Sequence, residues 1–272
     1  MSVIRAMSRA LTVAAAALAF SAPATAGVGD LLVAPTRLVL NGSRGSEVII
    51  KNVGTETATY RISVELRRMM PNGSLSDVVE ASAEEITARD MIFYAPRKVT
   101  LPPNQPQSVR VSARVPGNLP DGEYRVHLLF RAIPDPKPVT DTGEAQGIGF
   151  RLTPIYGVTI PVIVRLGNLQ AKAGIADVRL ADIGGRKVIA IDLTRAGNRS
   201  TYGEIRVLKD GVKEPIAELK GVAVYPELDK RLVNIPIAAE FAGKASGPVK
   251  VQYFETNEAG SSLVAETTAT LR

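Results

Sequence analysis

The sequence predicts an all-β protein built from two β-sandwiches. Its residues form short runs that alternate between apolar and polar side chains, and this two-residue period is typical of strands with one buried face. Turn signals rich in Gly, Pro, Asn and Asp separate the runs by roughly 8–12 residues, which favours a sandwich or barrel over alternating strands and helices. The 23 Gly and 18 Pro of this 272-residue chain provide for many such turns.

The first 26 residues are expected to be a cleaved secretory signal peptide. Arg5 and Arg9 provide a positive start, residues 10–20 are small or apolar apart from Thr12, and an Ala-x-Ala cleavage site ends at Ala26. The apolar run is too short for a retained membrane anchor, which needs about 20 residues. We therefore expect cleavage after Ala26, export from the cytoplasm and no membrane insertion of the mature chain.

Gly27–Arg165 is expected to form the first sandwich. Its clearest strand runs from Ala58 to Arg67, with apolar residues at the even positions. Val79–Asp90 is the stretch with helical character, and one or two turns of helix are expected there. Further strand runs are Val48–Ile50, Val109–Val115, Tyr124–Phe130 and Ile148–Val164.

Leu166–Arg272 is expected to form the second sandwich, with six or seven further strands. Each half of the mature chain thus has the strand number and length of an immunoglobulin-like domain. Neither half has the Cys…Trp…Cys pattern of antibody domains, because the chain contains no Cys and no Trp. The strand runs include Val188–Asp192, Ile205–Val207, Val222–Val224, Val233–Ile237, Val249–Tyr253 and Leu263–Ala265.

The composition argues against an enzyme. With no Cys and one His, disulfides, cysteine nucleophiles and thiolate metal sites are excluded, and a Ser-His-Asp triad would have to use His127. Carboxylates are scattered through turns rather than grouped at metal-ligand spacing, and no Gly-rich phosphate loop follows a strand and opens a helix. We expect no catalytic residue, no metal and no cofactor, with catalysis by His127 as the alternative.

The charge distribution does not indicate nucleic-acid binding. The formal net charge of +6 falls by two when Arg5 and Arg9 are removed with the signal peptide. The remaining Lys and Arg residues are spread along the chain and do not cluster with aromatic residues, as a nucleic-acid-binding surface would require. No nucleic-acid partner is therefore expected.

Ile148–Val164 is an unusually long strand run. Its even-numbered residues are apolar, interrupted only by Pro154, so they share one face. It would extend over about 50 Å, whereas strands usually have 5–6 residues. The period leaves two interpretations open. The run is either an ordinary edge strand kinked at Pro154 and packed on its own core, or an edge whose early half is offered to a partner by strand addition.

Arg37 is the single charged residue of the apolar segment Leu31–Leu40. It is either an exposed residue on the wet face of a strand or an anion-binding residue, since its planar guanidinium suits a carboxylate. Leu119–His127 is a turn entering a strand, with acidic and basic residues close together. Pro226–Arg231 is a charged turn that we interpret as simply solvated.

These segments resemble the PapD-like family of periplasmic pilus and fimbrial chaperones. Val33–Arg37 is similar to the family's first strand, Leu119–Arg125 to the signature entering its F strand, and Ile148–Arg165 to its long G strand. The resemblance implies two immunoglobulin-like sandwiches arranged at an angle. It also implies a chaperone that lends a strand to a fimbrial subunit lacking its own last strand.

The resemblance further implies roles for particular residues. Arg37 would bind the C-terminal carboxylate of the subunit, and Glu123 and Arg165 would form an ion pair between the two domains. No Lys occurs in Gly157–Pro161, where the family has a second carboxylate-binding residue, so the chain resembles an atypical branch. The side chains donated to the subunit would be Ile148, Phe150 and Leu152.

The implied function is ATP-independent subunit capture in the periplasm, in fimbrium biogenesis and cell wall organization. The implied partners are a fimbrial or pilus-type subunit and, beyond it, an outer-membrane usher. The alternative is a periplasmic or surface adhesion module of the same fold that binds sugar or protein through its loops.

Overall fold

The computed structural model describes residues 30–41, 45–134, 155–257 and 259–272. The predicted signal peptide and the predicted donor residues Ile148, Phe150 and Leu152 lie outside the described residues. Within the described residues the fold is all-β, as predicted from the two-residue periodicity. The helical elements of this part are α1 (Ala83–Asp90) and a 3-10 turn at Ala239–Phe241.

The first sandwich contains the strands up to Leu166. One sheet has the order β1-β3-β9-β7, the other has the order β2-β11-β10-β4-β8, and β5 and β6 form a separate hairpin. The inward side chains of both sheets form one apolar core, in which Tyr60 and Phe130 are fully buried. The strands are β1 (Leu31–Ala34), β2 (Leu38–Asn41), β3 (Ser46–Asn52), β4 (Ala58–Glu65), β5 (Arg67–Met69), β6 (Leu75–Asp77), β7 (Ile92–Ala95), β8 (Lys98–Leu101), β9 (Pro106–Ala113), β10 (Gly122–Ile133) and β11 (Gly157–Leu166).

The chain changes sheet between β1 and β2. Strand β1 pairs antiparallel with β3 in the four-stranded sheet, whereas β2 pairs parallel with β11 in the five-stranded sheet. Leu38 and Leu40 of β2 are buried in the core. Because side chains alternate across a strand, the neighbouring Arg37 and Val39 point to the opposite face of the sheet.

The second sandwich contains the strands from Ala171 onwards. Its sheets have the orders β12-β13-β16 and β15-β14-β17-β18, and they enclose a second apolar core. The boundary predicted at Arg165–Leu166 and the angle between the sandwiches stay predictions. The strands are β12 (Ala171–Ile183), β13 (Arg186–Gly197), β14 (Thr201–Leu208), β15 (Ala217–Val224), β16 (Lys230–Pro236), β17 (Gly247–Asn257) and β18 (Gly260–Leu271).

Helix α1 lies within the segment for which the sequence predicts one or two helical turns. It begins with a capping box: the backbone N–H of Glu85 donates to Ser82 Oγ, and the Glu85 carboxylate accepts from the backbone N–H of Ser82. This arrangement satisfies two of the amide groups that a helix start leaves unpaired. The helix packs against β10.

Candidate partner-binding cleft

Arg37 lies between the two sandwiches. Its Nη2 donates to Ser200 Oγ at 2.9 Å, and its guanidinium stacks on the Tyr202 ring at 4.7 Å from Cζ to the centroid. Its Nη1 is buried and has no hydrogen-bond partner among the described residues. The side chain is therefore held in position from the second sandwich while one of its donors stays unused.

The surroundings of Arg37 have opposing effects on its pKa. Burial lowers the pKa of Arg37, whereas the nearby Tyr225 and Glu123 raise it. An arginine remains protonated at any pH relevant to proteins. Arg37 is thus a partly buried positive charge with an unused donor, which an anion could bind.

Glu123 and Arg165 form an ion pair at the base of the same region. They stand directly opposite each other on β10 and β11, with Arg165 Nε 3.0 Å from Glu123 Oε2. The same carboxylate oxygen accepts from the backbone N–H of Ser200 at 3.1 Å and from Ser200 Oγ at 2.9 Å. The two residues predicted as an ion pair between the domains therefore lie together on neighbouring strands of the first sandwich. The contact with the second sandwich is made by Ser200, which binds both the Glu123 carboxylate and Arg37.

An open cleft of about 680 Å³ lies beside Arg37. One wall comes from the β1–β2 crossover and from Arg165. The other wall comes from the second sandwich, where Arg199 binds the carboxylate of Glu255. Arg199 is already paired with this carboxylate, whereas Arg37 brings to the cleft a buried donor, Nη1, that has no partner among the described residues.

The edge of β11 next to this cleft is open. Strand β2 pairs with β11 only along Val162–Arg165, with Leu38 opposite Val162. The preceding segment Gly157–Pro161 pairs with β10 on one side and has no strand on its other side among the described residues. By the same register Arg37 lies at the level of Pro161, at the end of the open edge.

Sequence reasoning missed a second cluster that joins the sandwiches. The Arg125 guanidinium lies over the Tyr225 ring at 3.7 Å and donates two hydrogen bonds to the Glu227 carboxylate, at 2.5 and 3.0 Å. The second Glu227 contact to the first sandwich is the backbone N–H of Met69, at 2.8 Å. Tyr225 also packs with Ile163 of β11 in a small apolar cluster.

This cluster corrects our interpretation of Pro226–Arg231 as a simply solvated turn. Burial raises the pKa of Glu227, but the hydrogen bonds and charge of Arg125, together with backbone hydrogen bonds that include the Met69 N–H, hold the pKa below its usual value. The sequence shows only that Glu227 lies in a charged turn. The partner Arg125 is 102 residues away, and local patterns carry no signal of that distance.

His127 has no geometry suited to catalysis. It is 1% exposed, and neither ring nitrogen has a hydrogen-bond partner among the residues that the structure describes. Burial, with the nearby charges of Arg125 and Arg67, lowers its pKa to about 3. The ring is therefore a neutral residue without access to a substrate.

The described part of the chain contains no cluster of three or more His, Cys, Asp or Glu residues that could hold a metal ion. In the same part of the chain, no helix has the length and apolar character needed to cross a membrane.

Solved structures to which the chain is similar include fimbrial and pilus chaperones, as the resemblance in its sequence led us to expect. One is the CsuC–CsuE chaperone–tip adhesion subunit pre-assembly complex of the archaic Csu pili of Acinetobacter baumannii, with 12% identity, a TM-score of 0.49 and coverage of 90% of this chain and 100% of that chain. The E. coli chaperone DraB has 16% identity and a TM-score of 0.46, with 91% and 99% covered. The Pseudomonas aeruginosa CupB2 chaperone has 12% identity and a TM-score of 0.45, with 89% and 100% covered.

No protein-family model matches the sequence, and no curated protein sequence matches it. At identities this low, the likeness to the solved chaperones concerns the fold.

Proposed function

We propose that this protein is a periplasmic, ATP-independent chaperone that captures a fimbrial or pilus-type subunit by strand donation. The proposal includes export through the signal peptide at residues 1–26 and subunit transfer to an outer-membrane usher. It needs no catalytic residue, because binding and subsequent subunit exchange supply the free energy.

The observation that carries the proposal is the open β11 edge ending at Arg37. A strand added along Gly157–Pro161 takes the position that β2 occupies further along β11. If it runs parallel to β11, as β2 does, its C-terminal end arrives beside Arg37. A terminal carboxylate would then meet the unused Nη1 donor of that guanidinium.

Parity extends this surface toward the donor residues. Ile160, Val162 and Val164 of β11 are buried in the core of the first sandwich. Even-numbered residues earlier in the same strand share that face if the strand continues without a bulge. The donor residues in this proposal are Ile148, Phe150 and Leu152.

The energetic terms give the two parts different roles. Burial of three large apolar side chains contributes about 1.5–3 kcal/mol each before ordering costs. One charge-assisted contact between Arg37 and a carboxylate contributes roughly 1.5–3 kcal/mol. The donor strand therefore provides most of the affinity. Arg37 sets the register, since a slip of one residue turns every donor side chain outward.

The first prediction is that Phe150→Asp abolishes subunit capture, because a buried carboxylate cannot replace an apolar side chain in a subunit groove. The measurement is co-purification of the protein with a co-expressed pilus-type subunit that lacks its last strand. Phe93→Asp is the matched control, since Phe93 is 43% exposed on β7 in the other sheet. Normal subunit yield with Phe150→Asp would refute strand donation.

The second prediction is that Arg37→Ala weakens capture by about 1.5–3 kcal/mol, or roughly 10- to 150-fold in affinity. Amidation of the subunit's C-terminus should weaken its binding to the wild-type protein by the same free energy. It should not weaken binding to the Arg37→Ala variant any further. Arg110→Ala is the control, since that side chain is 85% exposed. Equal binding of the amidated and free subunits would count against carboxylate anchoring. Loss of binding through loop changes alone would instead favour the adhesion module.

A further inference from the structure

A row of three positive charges crosses the outer face of the five-stranded sheet. Arg131 of β10 stands directly opposite Arg61 of β4, and Arg61 stands directly opposite Lys98 of β8. All three residues are exposed, whereas their neighbours Phe130 and Ile62 point into the core. We call Arg131, Arg61 and Lys98 the cationic row.

Among the described residues, the cationic row lacks acidic partners such as those of the exposed Arg68 and Arg110. Adjacent strands lie about 4.8 Å apart, and like charges directly opposite each other destabilise a sheet. None of the three side chains forms a hydrogen bond or ion pair with another described residue. By contrast, the exposed side chains of Arg68 and Arg110 are paired with Glu85 and Glu47, respectively.

The surroundings of the cationic row also favour an anionic ligand. On the same face, Thr59 and Thr100 form a hydroxyl pair at 2.9 Å across β4 and β8, next to the row. The nearest acidic residue on this face of β4 is Glu65, and Arg67 binds it at 2.7 Å. Among the described residues, the surroundings of the row thus present cations and hydroxyl groups, and Glu65 is already paired with Arg67.

The cationic row is separate from the cleft. Glu123 and Arg131 lie on the same face of β10 but eight residues apart, which corresponds to about 26 Å of strand. The second sandwich contacts the Glu123 end of this face through Ser200. No described strand of the second sandwich pairs with the Arg131 end.

We propose that the cationic row binds an acidic segment of a partner polypeptide. Carboxylates on alternate residues of an extended segment lie about 6.6 Å apart and can reach neighbouring cations of the row. Such a partner offsets the like-charge repulsion that the free protein carries. Three charges are fewer than the roughly 4–8 basic residues typical of anionic-membrane recognition. Among the residues that the structure describes, this face also lacks the stacked aromatic residues of single-strand nucleic-acid sites.

The test measures binding of a fluorescent poly-glutamate peptide to the purified full-length protein by anisotropy. The test variant replaces the row with glutamine (Arg61→Gln, Lys98→Gln, Arg131→Gln). The matched control removes three other exposed charges: Lys172→Gln, Arg186→Gln and Lys213→Gln. At low ionic strength the row variant should bind about five- to tenfold more weakly, whereas the control should change affinity less than about twofold. The difference should vanish at about 0.5 M salt.

Three outcomes would overturn this proposal. Equal loss of affinity in the two triple variants would mean that only net charge matters. The protein could instead bind phosphatidylglycerol vesicles or duplex DNA more tightly than the peptide and lose that binding in the row variant. The partner would then be a membrane or a nucleic acid. If the wild-type protein did not bind the peptide at low salt, the cationic row would not be a binding site for acidic segments. The single variant Lys98→Gln repeats the comparison if the triple variant folds poorly.

Discussion

Buried polar side chains set the behaviour of this protein at the scale of single residues. His127 and Arg37 are both surrounded by protein, but their surroundings have opposite consequences. His127 has no hydrogen-bond partner among the described residues and is kept neutral, whereas Arg37 is held by Ser200 and two aromatic rings and keeps its charge. The neutral His127 ring makes the stability of the protein depend on pH. The charged Arg37, with one unused donor, provides a binding site for an anion.

The third prediction concerns His127 and acid. In the unfolded chain this histidine takes up a proton near its ordinary pKa of 6.5, whereas in the folded protein it stays neutral down to about 3. The unfolded state therefore binds more protons between these values, and stability falls as the pH is lowered through that range. Between about pH 7.5 and about pH 5.5, His127 alone should lower the free energy of unfolding by about 1.4 kcal/mol.

The measurement is urea unfolding of the wild type and of His127→Leu at both pH values. The carboxylates contribute equally to both proteins, so the variant should lose about 1.4 kcal/mol less than the wild type on acidification. An identical pH dependence in the two proteins would show that the folded state can protonate this ring.

At the scale of the strand, close backbone approach decides how the second sandwich presents its side of the cleft. Gly203 of β14 stands opposite Glu255 of β17, and Glu255 holds Arg199 in the cleft wall. A Cβ at Gly203 would overlap the carbonyl group of Phe254. This glycine is therefore required by packing between two backbones rather than by a turn.

The fourth prediction is that Gly203→Ala destabilises the protein by about 1–3 kcal/mol, because β17 must move away from β14 to admit the methyl group. The free energy of unfolding measured in urea tests this. Gly243→Ala is the control, since a Cβ there meets no atom within 4 Å, and it should change stability by less than about 0.5 kcal/mol. Equal effects at both positions would contradict the packing argument.

The strands themselves differ in how far the sequence predicts them. Strand β4 has uninterrupted alternation, and its buried and exposed residues follow the predicted parity. Strand β12 was not among the predicted runs. Its register shifts between Ala176 and Arg179, and Asp177 has a φ of 48°. This irregularity breaks the two-residue period on which the prediction depends.

At the scale of the whole molecule, a second set of contacts holds the sandwiches together. Besides the contacts of Ser200 with Glu123 and Arg37, the β5–β6 hairpin reaches the second sandwich, where the Leu232 backbone N–H donates to the Pro71 carbonyl at 2.7 Å. Nearby, Glu227 of the second sandwich forms an ion pair with Arg125 of the first, whose side chain is only 9% exposed. The contacts between the sandwiches therefore include residues that do not line the cleft.

The fifth prediction is that Glu227→Gln destabilises the protein by about 1–3 kcal/mol, since it leaves the nearly buried Arg125 without its counter-charge. The pKa of Glu227 is lower in the folded state, so its contribution exists above the ordinary value of 4.5 and is lost as the pH falls below that value. Urea unfolding at neutral and acid pH measures both effects. Asp229→Asn in the same turn is the control, because the Asp229 side chain is 98% exposed.

Local patterns in the sequence were sufficient for the all-β class, the helical turns and the parity of the regular strands. These features depend on neighbours along the chain. Only the tertiary structure decided that β1 and β2 belong to different sheets, and that no described strand covers the β11 edge beside Arg37. It also decided which residues lie next to Glu227, Ser200 and the cationic row. Such contacts join residues far apart in sequence, and the side-chain period of a strand shows which face is buried but not which strand lies next to it.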